Sequence, residues 1–159
     1  MSGLPRLGGR GGGWVALQFA LLGVALVLGL TDLSGWGPAW GGGLRYVGML
    51  FVSAAVVVAV LAAVGLGSSL TALPQPRDGG RLRTDGVYGV VRHPMYLSVL
   101  SAVLGWALMT SPRVLVPFAA LAVVLDLKRQ VEEQWLADAY PEYPAYRMRV
   151  RWALVPYLR

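Results

Sequence analysis

The chain has one histidine, His93, and it stands in the run Arg92-His93-Pro94-Met95-Tyr96, a few residues after Gly86-Val87-Tyr88-Gly89. Proline suits the first turn of a helix, where its missing N–H is no loss, so the spacing predicts a helix starting near Pro94 with His93 at or beside its N-cap. Backbone N–H groups and the positive end of the helix dipole attract a carboxylate or phosphate there, and Arg92 adds a charged donor. A second group holds Asp126, Lys128, Arg129, Glu132 and Glu133, followed beyond Pro141 by Glu142, Tyr143, Tyr146, Arg147, Arg149 and Arg151. Lys128 precedes Glu132, and Arg129 precedes Glu133, by one helical turn, so solvated ion pairs account for these charges without function. Such exposed pairs are worth on the order of 0.3 kcal/mol, and base-before-acid is their weaker order. Adjacent carboxylates close to a membrane are better used in binding a cation. The bland alternative for the first group is that Arg92 and His93 anchor a helix among lipid headgroups while Tyr88 and Tyr96 belong to an aromatic belt. The sequence contains no cysteine, which removes disulfides, thiolate metal ligands and a cysteine nucleophile. No metal site is expected.

The elements that must position these residues are apolar. Hydrophobic residues make up 56% of the 159 residues and charged residues 14%, against roughly 25% charged in soluble domains. A soluble chain this short could not bury that much apolar surface in one core. The sequence therefore predicts an all-α polytopic membrane protein with about four transmembrane helices. The first run, Trp14 to Leu30, reaches about 25 Å, just enough to span, and is taken as a retained helix because no small-residue cleavage pattern follows it. The second, Tyr46 to Leu66, has small residues at Ala54, Ala55, Ala59, Ala62 and Ala63 that would let a neighbouring helix approach closely. A polar connection from Gly67 to Arg92 precedes a third run, Tyr96 to Thr110, and a fourth, Val114 to Leu127. Only Ser111, Pro112 and Arg113 separate these last two, so they form a helical hairpin, and the fourth continues out of the membrane until Pro141 stops it. The organisation is a flexible tail over 1–13, two transmembrane helices over 14–66 and a core over 67–159. Beyond Tyr146, the alternation of basic and apolar residues from Arg147 to Trp152 predicts an extended segment lying on headgroups.

The +6 net charge falls in the short connections, where it sets topology and contacts anionic lipid; no nucleic-acid motif accompanies it. Lys and Arg number two before the first run, one after it, four in the long connection, one in the hairpin and six at the C-terminal end. That alternation places both termini and the long connection in the cytoplasm, in a cell inner membrane. Both groups of candidate residues then share one side.

Together, Arg92-His93-Pro94-Met95-Tyr96, the hairpin, Glu132-Glu133-Gln134-Trp135-Leu136 and Glu142-Tyr143-Pro144-Ala145-Tyr146 resemble the isoprenylcysteine carboxyl methyltransferase family and its phospholipid N-methyltransferase relatives. The resemblance covers roughly residues 82–156. It implies a cytoplasm-facing pocket for S-adenosylmethionine formed by the C-terminal half, with Tyr88, His93, Pro94, Tyr96, Glu133, Leu136, Tyr143 and Tyr146 as cofactor-binding residues. It also implies a lipophilic small-molecule or lipid-anchored acceptor arriving from the membrane lipids. Arg92, Glu132 and Glu133 are the candidate catalytic residues: Arg92 to orient or hold charge, the glutamates to take the proton of an amine acceptor. The sequence departs from the pattern at Pro141, where a glycine is usual, and at Arg151, where proline is. A carboxylate, a thiol and an amine all remain open as acceptors. The competing readings are a non-enzymatic scaffold or lipid-binding protein and an NADPH-dependent membrane reductase. Protease or label accessibility of an N-terminal tag tests the topology: the tag is reached from the cytoplasmic face, and access from the exterior alone refutes it.

Overall fold

A computed structural model describes residues 7–32, 34–76 and 79–154, and among these there are helices and no strand. Five α-helices follow one another: α1 Gly12–Thr31, α2 Gly41–Leu66, α3 Pro94–Met109, α4 Leu115–Ala139 and α5 Tyr143–Arg149, with short 3₁₀ turns at Gly67–Ser69, Gly86–Gly89 and Pro112–Val114. Residues 1–6 of the expected N-terminal tail, and Arg6 and Arg77 of the basic segments, lie outside the described residues.

Among the described residues two segments are long and apolar enough to cross a membrane, Gly12–Thr31 and Gly41–Ser69, with mean hydropathies of 2.1 and 2.8 and only 17% of the residues buried in the most apolar stretch of each. A helix in the core of a soluble protein would hide most of its surface. These instead turn Phe19, Val27, Leu30, Leu50 and Val64 outward, which water would penalise at about 25 cal/mol per Å² and lipid would not. The protein is thus a helical membrane protein. Helix α3, at 16 residues, is shorter. Only the first half of α4 is apolar; its second half carries the charges from Asp126 to Glu133.

Helices α2 and α3 lie in close contact. The buried residues of α2 are Gly48, Ala55 and Ala62, spaced seven apart, which keeps one narrow seam on a single side of the helix. At Gly48 an added Cβ would lie 2.5 Å from the Gly105 carbonyl oxygen, and one at Gly105 would lie 2.6 Å from that of Gly48. Of the alanines expected to admit a neighbour, Ala55 and Ala62 do so, whereas Ala54 faces outward. Helix α1 packs on α4 through Trp14, Val124 and Val131 and on α3 through the Trp106 indole N–H, which donates to the Ala25 carbonyl at 3.1 Å. At the end of α3 away from His93, Asp32 accepts from the Ser111 hydroxyl and pairs with Arg113 at 3.0 Å. This ties the end of α1 to the α3–α4 turn.

One expectation is corrected. Residues Arg147–Arg149 belong to α5 instead of an extended run. Tyr143, Tyr146 and Val150 form one buried cluster, and their i, i+3, i+7 spacing is that of a helix face, which overrides the two-residue alternation of the neighbouring arginines.

The seam between α2 and α3 makes Gly48→Ala costly, by about 1–3 kcal/mol, because backbone blocks the new methyl. Gly23, with open space around it, serves as control. The thermal unfolding midpoint in detergent is expected to fall for Gly48→Ala and to hold or rise for Gly23→Ala.

Candidate functional site

Helix α3 begins as the proline predicts: Pro94 occupies its first turn and His93 is the N-cap, without a side-chain cap bond of its own. The imidazole is therefore free to face α4. Its Nε2 lies 3.2 Å from Glu133 Oε1 and its Nδ1 lies 3.8 Å from Glu132 Oε2. The ring stacks on Tyr96 with centroids 5.4 Å apart, and the Tyr96 hydroxyl donates to Glu132. Successive helix residues point about 100° apart, and this separates the two adjacent carboxylates. Glu132 faces a cavity, while Glu133 turns behind it.

Glu133 is held by Arg92, whose Nε and Nη2 donate to Oε1 at 3.1 and 2.9 Å. The remaining nitrogen, Nη1, donates to the carbonyls of Val150 and Arg151 at 2.7 and 2.8 Å. The backbone repeats the link, for Arg92 N–H donates to Trp152 O and His93 N–H to Ala153 O at 3.0 and 2.9 Å. The segment after α5 is thereby fastened across the start of α3. Burial resists ionisation of Glu133, but the hydrogen bond and charge of His93, followed by those of Arg92, outweigh it and hold the carboxyl down at about 2.

The cavity has a volume of about 290 Å³, and its polar wall includes Arg92, His93, Glu132, Tyr143 and Tyr146. Phe19 of α1, Leu66 of α2 and Val99 of α3 also line it, as do Gln18 and Lys128. The Tyr146 hydroxyl is spent on the Tyr88 carbonyl at 2.7 Å. That of Tyr143 is buried without a partner among the described residues, and burial followed by the Glu133 charge pushes its pKa well up. A buried hydroxyl without a hydrogen bond is costly, so an orphan in a cavity wall points to a ligand.

Every sequence-predicted residue lines this cavity except Glu133: Tyr88, Arg92, His93, Pro94, Tyr96, Glu132, Leu136, Tyr143 and Tyr146 all do. Three differ in surroundings from the sequence reading. Arg92, expected to be free for an anion, is 8% exposed and committed to Glu133 and the tail carbonyls. Tyr88, a possible belt residue, is buried, its hydroxyl on the Ala62 carbonyl at 3.4 Å. Lys128 makes no ion pair with Glu132 and instead donates to Gln18 at 2.8 Å. Gln18 was not anticipated; its one signal is an isolated polar residue within the first apolar run.

The fold and site define a helical membrane protein whose helix ends enclose a tyrosine-rich cavity lined by both polar and apolar residues. Residues 44–143 match the phospholipid methyltransferase family, and the chain belongs to that family, in agreement with the resemblance carried by its motifs. The match takes in α2 from its fourth residue, α3 and α4, and leaves α1 outside. The chain is also 32% identical over 119 residues to the cobalt-zinc-cadmium resistance protein CzcN of Cupriavidus metallidurans, covering 73% of this chain and 51% of that protein. It is 29% identical over 138 residues to the nickel-cobalt-cadmium resistance protein NccN of Alcaligenes xylosoxydans xylosoxydans, covering 85% and 61%. The chain thus spans between one half and about three fifths of these curated relatives.

The pairing of Glu133 makes stability acid-sensitive. Its folded pKa of about 2 lies below the ordinary 4.5, so its contribution is complete above pH 4.5 and is lost as pH falls towards 2, on the order of 3 kcal/mol in all. In acid unfolding titrations the gap between the parent and Glu133→Gln should close over that window; a constant gap refutes the pairing.

Proposed function

We propose that the protein transfers a methyl group from S-adenosylmethionine to a lipophilic acceptor at the cytoplasmic surface of the membrane. The observation that carries this is the unpartnered Tyr143 hydroxyl in a cavity shared by the two motifs, in a chain of the phospholipid methyltransferase family. When bound, S-adenosylmethionine supplies an already activated methyl on a sulfonium centre, so the protein's task is positioning and electrostatic complementarity. Glu132 with His93, Tyr96 and Tyr143 would hold the amino-acid and sulfonium end. Glu133 acts behind them as a positioning residue, because it fixes Arg92 and the His93 ring.

In this reading α3 and the apolar half of α4 are the third and fourth spans, the hairpin turn is exterior, and the site and both termini face the cytoplasm of a cell inner membrane. The basic clusters support that orientation. The acceptor enters laterally past Phe19, which is 60% exposed, and meets the site from its apolar side.

Purified protein in detergent is titrated with S-adenosylmethionine and NADPH in parallel. Saturable binding is expected for the first alone; a scaffold binds neither and a reductase binds the second. Since the Tyr143 hydroxyl has no hydrogen-bond partner among the described residues, Tyr143→Phe should keep or raise the unfolding midpoint. Its S-adenosylmethionine affinity should fall about threefold to tenfold, and His93→Ala should lower it further. Unchanged affinity in both variants removes these residues from the cofactor site.

A further inference from the structure

Lys128 and Glu132 stand one turn apart on α4, the spacing at which a lysine and a glutamate face each other. In a partly dry site their attraction is much stronger than in water, yet they form no direct ion pair. The Lys128 ammonium donates instead to Gln18 Oε1 of α1 at 2.8 Å and lies 4.9 Å from the centre of the Tyr96 ring. Lys128 is 1% exposed; burial pulls its pKa down, and the Glu132 charge opposes that without contact. Both close contacts of the Glu132 carboxylate use one oxygen: Oε2 accepts from the Tyr96 hydroxyl and lies 3.8 Å from His93 Nδ1. Oε1 has no donor among the described residues. Glu132 is also the only carboxylate in the cavity wall among those residues, so this oxygen is what the wall offers a cationic ligand.

We propose that Gln18 is a positioning residue that holds Lys128 off Glu132 and so keeps a charged carboxylate oxygen free for the ligand. The inference rests on the methyltransferase reading, in which the group received is the amine or sulfonium of S-adenosylmethionine. An ammonium has donors and no acceptor, and the Gln18 carbonyl takes one of those donors towards α1. The face of the Tyr96 ring attracts the same charge away from the carboxylate. Without the Gln18 acceptor, the buried ammonium loses its hydrogen bond, which is costly, and the Glu132 oxygen one turn away is the compensation within reach. Pairing there would neutralise the cavity's one carboxylate. The device also accounts for a glutamine within the first apolar span, where an unbonded amide is penalised. Gln18 belongs to α1, outside the residues matched by the family, so the helix that the match leaves out supplies the residue that keeps the site charged.

Titration of the full chain in lipid nanodiscs with S-adenosylmethionine tests this. Gln18→Leu should weaken binding about tenfold, as expected when one charged hydrogen-bond partner is masked, whereas Lys128→Met should hold or strengthen it. The diagnostic result is rescue: Lys128→Met added to Gln18→Leu should restore the affinity of Lys128→Met alone, because the quenching ammonium is gone. A glutamine needed only for helix packing gives no rescue, and a lysine that itself holds the cofactor weakens binding in Lys128→Met; either outcome overturns the proposal. Should Gln18→Leu fail to fold, Gln18→Glu decides: it keeps an acceptor on the ammonium and should bind at least as well as the parent, and a tenfold loss overturns the proposal. The pairing is also measured without cofactor, by a double-mutant cycle of Lys128→Met and Glu132→Gln read in unfolding midpoints. The coupling should be larger in the Gln18→Leu chain than in the parent. Equal coupling in both refutes the role of Gln18 whatever the cavity binds. Larger coupling with no S-adenosylmethionine bound by the parent refutes the methyltransferase reading and upholds Gln18 as the residue that keeps the two charges apart.

Discussion

The Arg92 guanidinium is the point on which the polar half of the molecule depends. From just before α3 it reaches α4, through Glu133, and the tail, through the carbonyls of Val150 and Arg151. A planar fork of five donors satisfies a carboxylate and two carbonyls in fixed directions, which an ammonium would not do. With both partners buried, removing Glu133 leaves the Arg92 charge without its carboxylate, whereas Glu133 keeps Arg129 and Arg147 near it if Arg92 is lost. His93 adds its ring to the same carboxylate and its backbone N–H to the tail, and the cavity is closed on that side.

Two adjacent glutamates serve opposite purposes because a helix turns them apart. Glu133 is a structural acid, ionised well below the usual range and screened from the cavity by the groups it binds. Glu132 remains on the cavity wall with Tyr96 and the other edge of His93. The division explains how one site can combine rigidity with an available carboxylate.

The apolar half follows a different rule. With lipid around α1 and α2, burial of hydrocarbon gives little drive to association, and close contact between backbones replaces it. Gly48 and Gly105 permit that contact between α2 and α3, while α1 is held by Trp106, Asp32 and the Gln18–Lys128 bond. Helix α1 is therefore fastened at several depths by polar groups.

The sequence by itself determined the helices, the start of α3 at Pro94, the α3–α4 hairpin, the end of α4 before Pro141 and the family, because these depend on local periodicity, proline geometry and contiguous motifs. It also brought together the residues of the cavity wall, since the motifs are ordered and each is compact. Local pattern misled at Arg147–Arg149, where a two-residue alternation concealed the i, i+3, i+7 face of Tyr143, Tyr146 and Val150. Tertiary structure alone decided which charges are spent and which are available. Arg92 meets Glu133 across 41 residues and Lys128 meets Gln18 across 110. No spacing rule reaches so far, because partners on different helices are chosen by how the helices pack and not by their separation along the chain.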